Sequence, residues 1–271
     1  MKEYTLLKSR VKIKKNRQKI FNSIYKNDKI EVALSCATLL FLWQIIALKI
    51  NNDIYLPTIG QVLSSLGKVV VTQKFYLDVI SSIGRCIVSF FIAIALAIII
   101  GMLAYISRKF RNFLKPINSI AQSIPTMVLI VLALIWFDKD NASIIVGFAI
   151  VFPILYDSVL SAMIGLDKRI LEMATLYKVS LKNRILKIYF PAIKIQIVQI
   201  LVSTYSLALK VVIAGEVYSQ PKYGMGAMIQ VEKMNFNTPG IFAWLVIIVA
   251  ISMVLDVLQK ILVRRVSVWK I

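Results

Sequence analysis

Few side chains in this sequence are equipped for chemistry, and those few stand in unusual places. Asp157, Lys210 and Asp256 lie inside long apolar runs. Ionisable groups in such runs are expensive, and they mark either a solute path or a polar contact between helices. Gln122 and Ser123 precede Pro125 in another apolar run. Gln199, Ser203, Ser206 and Lys210 recur every three or four residues, which puts them on one helix face. Uncharged polar groups on one face can hand a solute along a path; the same groups can equally hold neighbouring helices together. A third group is the stretch 171–193, LEMATLYKVSLKNRILKIYFPAI, with five charged side chains between two long apolar runs.

Other chemistry is absent. With no histidine, His-based acid–base catalysis and His metal sites are excluded. No G-x-x-x-x-G-K-[ST] loop occurs, so the chain is not expected to hydrolyse ATP. The GMG of Gly224 and Gly226 lacks the third glycine and the strand–helix context of a dinucleotide site. No nucleophile–base–orienter set is readable, and neither a catalytic residue nor a bound cofactor or metal is expected. Cys36 and Cys86 sit in or beside apolar runs and read as small buried hydrophobes.

The elements that must position these residues are apolar helices. The chain has 271 residues, is 59% hydrophobic and has a mean hydropathy of +0.77. Soluble domains are nearer half apolar, and a bilayer core about 30 Å thick takes about 20 apolar residues per helix. Six spans are expected, at about 31–49, 80–106, 117–137, 142–166, 191–215 and 240–263. The net charge of +20 would suggest nucleic acid in a soluble protein; here it follows the positive-inside rule. The arm 1–29, with ten Lys and Arg against two acids, SRKFRNFLK after the second span, the stretch after the fourth, and the tail with Lys260, Arg264, Arg265 and Lys270 are basic. The alternate connections are balanced or acidic. The alternation implies an all-α membrane protein with both termini cytoplasmic: a basic arm over 1–29, uncleaved and partly helical on the anionic lipid surface, then a transmembrane domain over 30–271.

In the stretch 171–193, apolar residues fall at roughly helical spacing with a break near 179–181, and Lys178, Lys182, Arg184 and Lys187 occupy much of the other surface. Pro191 suits the first turn of the next span. Such an insert is either an interfacial amphipathic helix or a docking element for a soluble partner.

The positions of Glu172, Ala174, Lys178, Ile188 and Pro191 resemble the EAA signature of ABC importer permeases: E-A-A, a glycine four residues after the last alanine, then I-x-L-P. Met173 replaces the second residue, Lys178 the glycine and Phe190 the leucine. LPTIGQVLSSL, SSIGR at 81–85, SIPTMVLIVLALIWF and GEVYSQPKYGMGAMI resemble, in order, segments of the nitrate/sulfonate/taurine group of these permeases. The resemblance implies the type I ABC permease fold in a bacterial plasma membrane, with a cytoplasmic coupling loop at about 167–190 that docks a cytoplasmic ABC ATP-binding subunit. It implies a permease homodimer moving solute by alternating access, with ATP bound by the partner subunit. It also implies an extracytoplasmic solute-binding protein meeting the outer segment 216–240, where Glu216, Gly224 and Gly226 are outer-gate candidates. The path candidates are Gln122, Ser123, Gln199, Ser203, Ser206 and Lys210. The implied solute is a sulfonate-, taurine- or nitrate-like anion or a vitamin-precursor heterocycle. The competing reading is a self-contained carrier or channel, which would call for inverted repeats in the two halves; a membrane anchor is a third.

Overall fold

The computed structural model of the protein describes residues 30–266, with side chains to Ile261. The arm 1–29 and Lys270 lie outside the described residues. The chain divides into two compact units, the first ending at Val62 and the second beginning at Leu63. In the first, α1 (Ile30–Ile50) has 21 residues, enough at 1.5 Å per residue to cross a bilayer core. Its apolar side chains are almost all exposed. Trp43 Nε1 donates to the Pro57 carbonyl (3.0 Å), and Ile59 N–H donates to Gln44 Oε1 (3.0 Å). These bonds tie the segment after α1 back to that helix. Cys36 is exposed here, contrary to its reading as a buried hydrophobe, whereas Cys86 is fully buried. A cysteine behaves as a small hydrophobe in either setting, and α1 turns Cys36 outward.

α2 (Ile59–Val71) leads into the second unit, whose centre is α3 (Gln73–Ile106), α6 (Lys139–Ile164) and α9 (Phe190–Ser219). α3 buries a line of small residues, Ser82, Cys86, Ser89, Ala93, Ala97 and Ala104, at helical spacing. Small side chains let membrane helices approach closely, where packing rather than water exclusion holds them. The approach is tight: a Cβ on Gly147 of α6 would lie 2.5 Å from Ser89 Oγ and 2.7 Å from Val212 Cγ2, and one on Gly101 would lie 2.7 Å from Val159 Cγ1.

These contacts fix direction. From Ser89 to Gly101 along α3, the neighbours advance from Gly147 to Val159 along α6, so the two helices are parallel. Gly147 meets Val212 while Gly215 meets Ser143, so α9 runs against α6. The ends of α3 and α6 therefore share one face of the bundle, and the segment after α9 lies on the other.

The third expected span is not one helix. α4 (Arg108–Ser123) and α5 (Thr126–Trp136) meet at a bend of 102°. Pro125 holds Ile124 extended (φ −70°, ψ 127°), because the proline ring disfavours helical backbone in the residue before it. α5 then packs Ile130 and Ala133 against Ala142, Val146 and Val211. The outer segment 216–240 is likewise not one long loop. α9 continues to Ser219, and α10 (Met225–Met234) precedes α11 (Thr238–Val266). Among the described residues there is no strand. Among these residues five helices are long and apolar enough to cross a membrane, six with α4 and α5 counted as one broken span.

Candidate functional site

The face where α3 and α6 end carries the charged insert as two short helices. α7 (Lys168–Leu176) starts at Asp167, whose Oδ1 accepts the Arg169 N–H (2.9 Å). Asp167 satisfies the helix N-terminus; Glu172 is the fifth residue and exposed. α8 (Leu181–Arg184) starts at Ser180, whose Oγ accepts the Asn183 N–H. Between them α7 closes in a Schellman turn: Lys178 N–H bonds the Thr175 carbonyl (3.0 Å) and Val179 N–H the Ala174 carbonyl (2.9 Å). Such a turn requires a left-handed residue at its pivot. Lys178 takes that role with φ 48°, so a lysine supports here the conformation for which glycine is the usual residue.

Arg184 then locks the pair. Its Nη2 donates to the Ala174 carbonyl (2.9 Å) and its Nε to the Val179 carbonyl (3.1 Å). Arg184 therefore faces inward, unlike Lys178, Lys182 and Lys187, which remain exposed. Ala174 is also inward, 1% exposed. Beside these lysines the insert presents an apolar group outward: Met173, Leu176, Tyr177 and Leu181 are all exposed.

Ile188 is half-buried and Pro191 exposed. Pro191 lies in the first turn of α9, and the helical path runs on unbroken from Leu181 to Ser219. Residues 185–189 widen into a π turn in which Phe190 N–H reaches the Ile185 carbonyl. The wider turn makes room for the proline ring, which would otherwise press on the carbonyl four residues back.

The polar residues of the apolar runs divide into two groups. Gln122 Nε2 and Asn118 Nδ2 donate to the two oxygens of Asp157 (2.7 and 2.9 Å), bridging α4 to α6. Ser123 Oγ donates only to its own helix, at the Ser119 carbonyl. On α9, Gln199, Ser203 and Lys210 form an exposed stripe. Ser206 departs from it, donating to Asp256 Oδ1 of α11 (2.6 Å). Asp157 and Asp256 thus each accept a bond from a neighbouring helix, as polar groups in membrane bundles do.

The opposite face holds a buried ionic cluster. Glu216 is fully buried near the end of α9. Ser82 Oγ (2.7 Å) and Gly226 N–H (3.1 Å) donate to Oε2, and Arg85 Nη1 (2.9 Å) donates to Oε1. Arg85 also donates to the carbonyls of Tyr223 and Asp140 and pairs with the Asp140 carboxylate. Asp78 Oδ1 accepts the Gly224 N–H (3.0 Å) and Ser82 Oγ the Met225 N–H (2.9 Å). The segment that enters α10 is thereby pinned to α3, and Glu216, Gly224 and Gly226 come together. Sequence reasoning missed Asp78, Ser82, Arg85 and Asp140 as members. The available signal was a run of polar residues, including the arginine, at the start of the α3 apolar run.

Comparison with known proteins gives these geometries a context. Residues 93–268 match the family described as "Binding-protein-dependent transport system inner membrane component". The chain is 22% identical over 237 residues to the "Putative aliphatic sulfonates transport permease protein SsuC" of Bacillus subtilis (strain 168), covering 86% of this chain and 85% of the relative. It is 22% identical over 249 residues to the "Taurine transport system permease protein TauC" of Escherichia coli (strain K12), covering 88% of this chain and 90% of the relative. Its fold is similar, at a TM-score of 0.62 and 17% identity, to a chain of the inward-facing MetNI methionine ABC transporter, covering 71% of this chain and 96% of that one.

Proposed function

Starting from the fact that this chain belongs to the family of binding-protein-dependent transport system inner membrane components, we propose that it imports a small solute using work supplied by separate ATP-binding subunits. The chain is a multi-pass plasma-membrane protein and the permease component of an ABC transporter. ATP is bound by the partner, and this chain contributes no hydrolytic residues. The observation that carries the coupling is the insert: two short helices clamped by Arg184, with Met173, Leu176, Tyr177 and Leu181 outward. A clamped lever transmits displacement, and an apolar tip rimmed by lysines suits a groove on a soluble protein.

Two copies of the chain form the path, with the Gln199–Ser203–Lys210 stripe and the bend at Pro125 toward the partner copy. The coupling face is cytoplasmic, and the Glu216 cluster is extracytoplasmic, where a binding protein delivers the solute. Closure of the two ATP-binding subunits moves the inserts, and the spans alternate between inward- and outward-open arrangements. The proposed solute is a small sulfonate- or taurine-like molecule, in keeping with the two named relatives.

The test is co-purification. Leu176→Glu with Tyr177→Glu alters only exposed side chains, so the permease should assemble normally but lose its ATP-binding subunit. Unchanged retention of that subunit and unchanged uptake would overturn the docking role. Growth of a deletion strain on single sulfur sources tests the solute class.

A further inference from the structure

Between α4 and α6, toward the coupling face, lies a cavity of about 420 Å³, within the range of small-ligand sites. Its wall carries Arg111, Lys115, Asn118, Gln122, Tyr156 and Asp157. Arg111, Lys115, Asn118 and Gln122 follow one another at steps of four, three and four along α4, so one helix face supplies two cations and two amides.

Two features single this cavity out, although Lys115, Gln122 and Asp157 in its wall are exposed. Among the described residues the ion pairs are those of Arg85, so neither Arg111 nor Lys115 forms a direct ion pair. Two buried polar atoms of the wall, the Tyr156 hydroxyl and Asn118 Oδ1, also have no hydrogen-bond partner. Tyr156 is 3% exposed, and leaving such groups unmet is costly. The bond from Asn118 Nδ2 to Asp157 fixes the orientation of the amide, so the unmet atom is an acceptor. The cavity thus offers cations and a hydroxyl to an oxyanion, and the Asn118 oxygen beside the Asp157 carboxylate to an N–H donor.

We propose that this cavity is a solute site selecting a small zwitterion, a molecule with an oxyanion head and an ammonium group a few bonds away. Arg111, Lys115 and Tyr156 take the head, and Asn118 and Asp157 take the ammonium. Gln122 holds Asp157 in place. The site deepens the import reading above and rests on it for its role as a waypoint of the solute. A site whose polar groups match both charges rejects an analogue that lacks one, because some of those groups are then left unpaired.

The test uses the full-length protein in detergent, titrated calorimetrically with taurine, β-alanine, ethanesulfonate and ethylamine. At least one of the two zwitterions should bind, and ethanesulfonate and ethylamine, each lacking one charge, should bind about tenfold or more weakly. Asn118→Leu should weaken zwitterion binding by about tenfold, and Lys115→Gln several-fold. Ethanesulfonate binding as tightly as either zwitterion, no binding by both zwitterions, or binding indifferent to these substitutions overturns the proposal. Should Asn118→Leu aggregate on size exclusion, the exposed Lys115→Gln and the probe ratios decide alone. Co-purification of the ATP-binding subunit with wild-type protein is the separate readout: its failure overturns the import reading, while the titrations still judge the cavity.

Discussion

Arg85 and Glu216, 131 residues apart in sequence, meet at 2.9 Å with the carboxylate fully buried. Every other bond of that carboxylate comes from Ser82 or the Gly226 backbone. Arg85 is therefore the charge that makes a buried Glu216 tolerable.

Removing one partner of a buried pair leaves the other uncompensated, at about 3–5 kcal/mol. Arg85→Leu is expected to lower thermal stability in detergent by that order. Arg85→Leu combined with Glu216→Leu should recover most of it. A double variant no more stable than the single would show that the pair is not the source of the loss.

Gly226 tolerates no side chain. A Cβ there would strike the Ile213 carbonyl and lie 2.9 Å from Val217 N, backbone atoms of α9 that cannot turn aside. Gly226→Ala is expected to cost about 1–3 kcal/mol by overpacking and to free the start of α10. Faster proteolysis near Gly224 with α3 and α6 still protected would be the signature.

Arg184 holds α7 to α8 through its bonds to the Ala174 and Val179 carbonyls. Arg184→Met removes two charge-assisted bonds to carbonyls, each worth about 1.5–3 kcal/mol. Faster amide exchange over 174–184 is expected, with weaker retention of the ATP-binding subunit. Arg184→Lys should not rescue it, since one ammonium lacks the planar fork that reaches both carbonyls. Full rescue by lysine would mean that only the charge matters.

Lys178 sits at φ 48°, a conformation that costs a side-chain-bearing residue about 1–2 kcal/mol and glycine almost nothing. Lys178→Gly is expected to slow exchange of the Val179 amide and to preserve uptake. Lys178→Val, with a β-branched side chain at the same φ, should do the reverse. Equal exchange rates in all three proteins would remove the turn from the account.

Much was legible because bilayer physics writes itself into composition. The apolar runs, the alternation of basic connections and the break between α7 and α8 follow from local requirements: about 20 apolar residues to cross, cations kept to one side, a cap wherever a helix starts. Pro125 was visible, but its consequence was not. A proline can kink a span or end it, and the 102° bend depends on what α5 packs against. The EAA spacing located the insert, while helical spacing put Arg184 on its outer surface, because periodicity cannot tell an outward charge from one folded back on its own backbone.

The sequence by itself determined that this chain lives in a membrane as a set of helices and placed an amphipathic insert between the fourth and fifth spans, since those properties reside in contiguous residues. Only the tertiary structure decided which distant residues share a site. Glu216 found Arg85 and Ser82 because the close approach of α3, α6 and α9 at small residues sets their register, and Asp157 found Asn118 and Gln122 where α4 meets α6. That register is a property of three surfaces fitted together and belongs to no one of them.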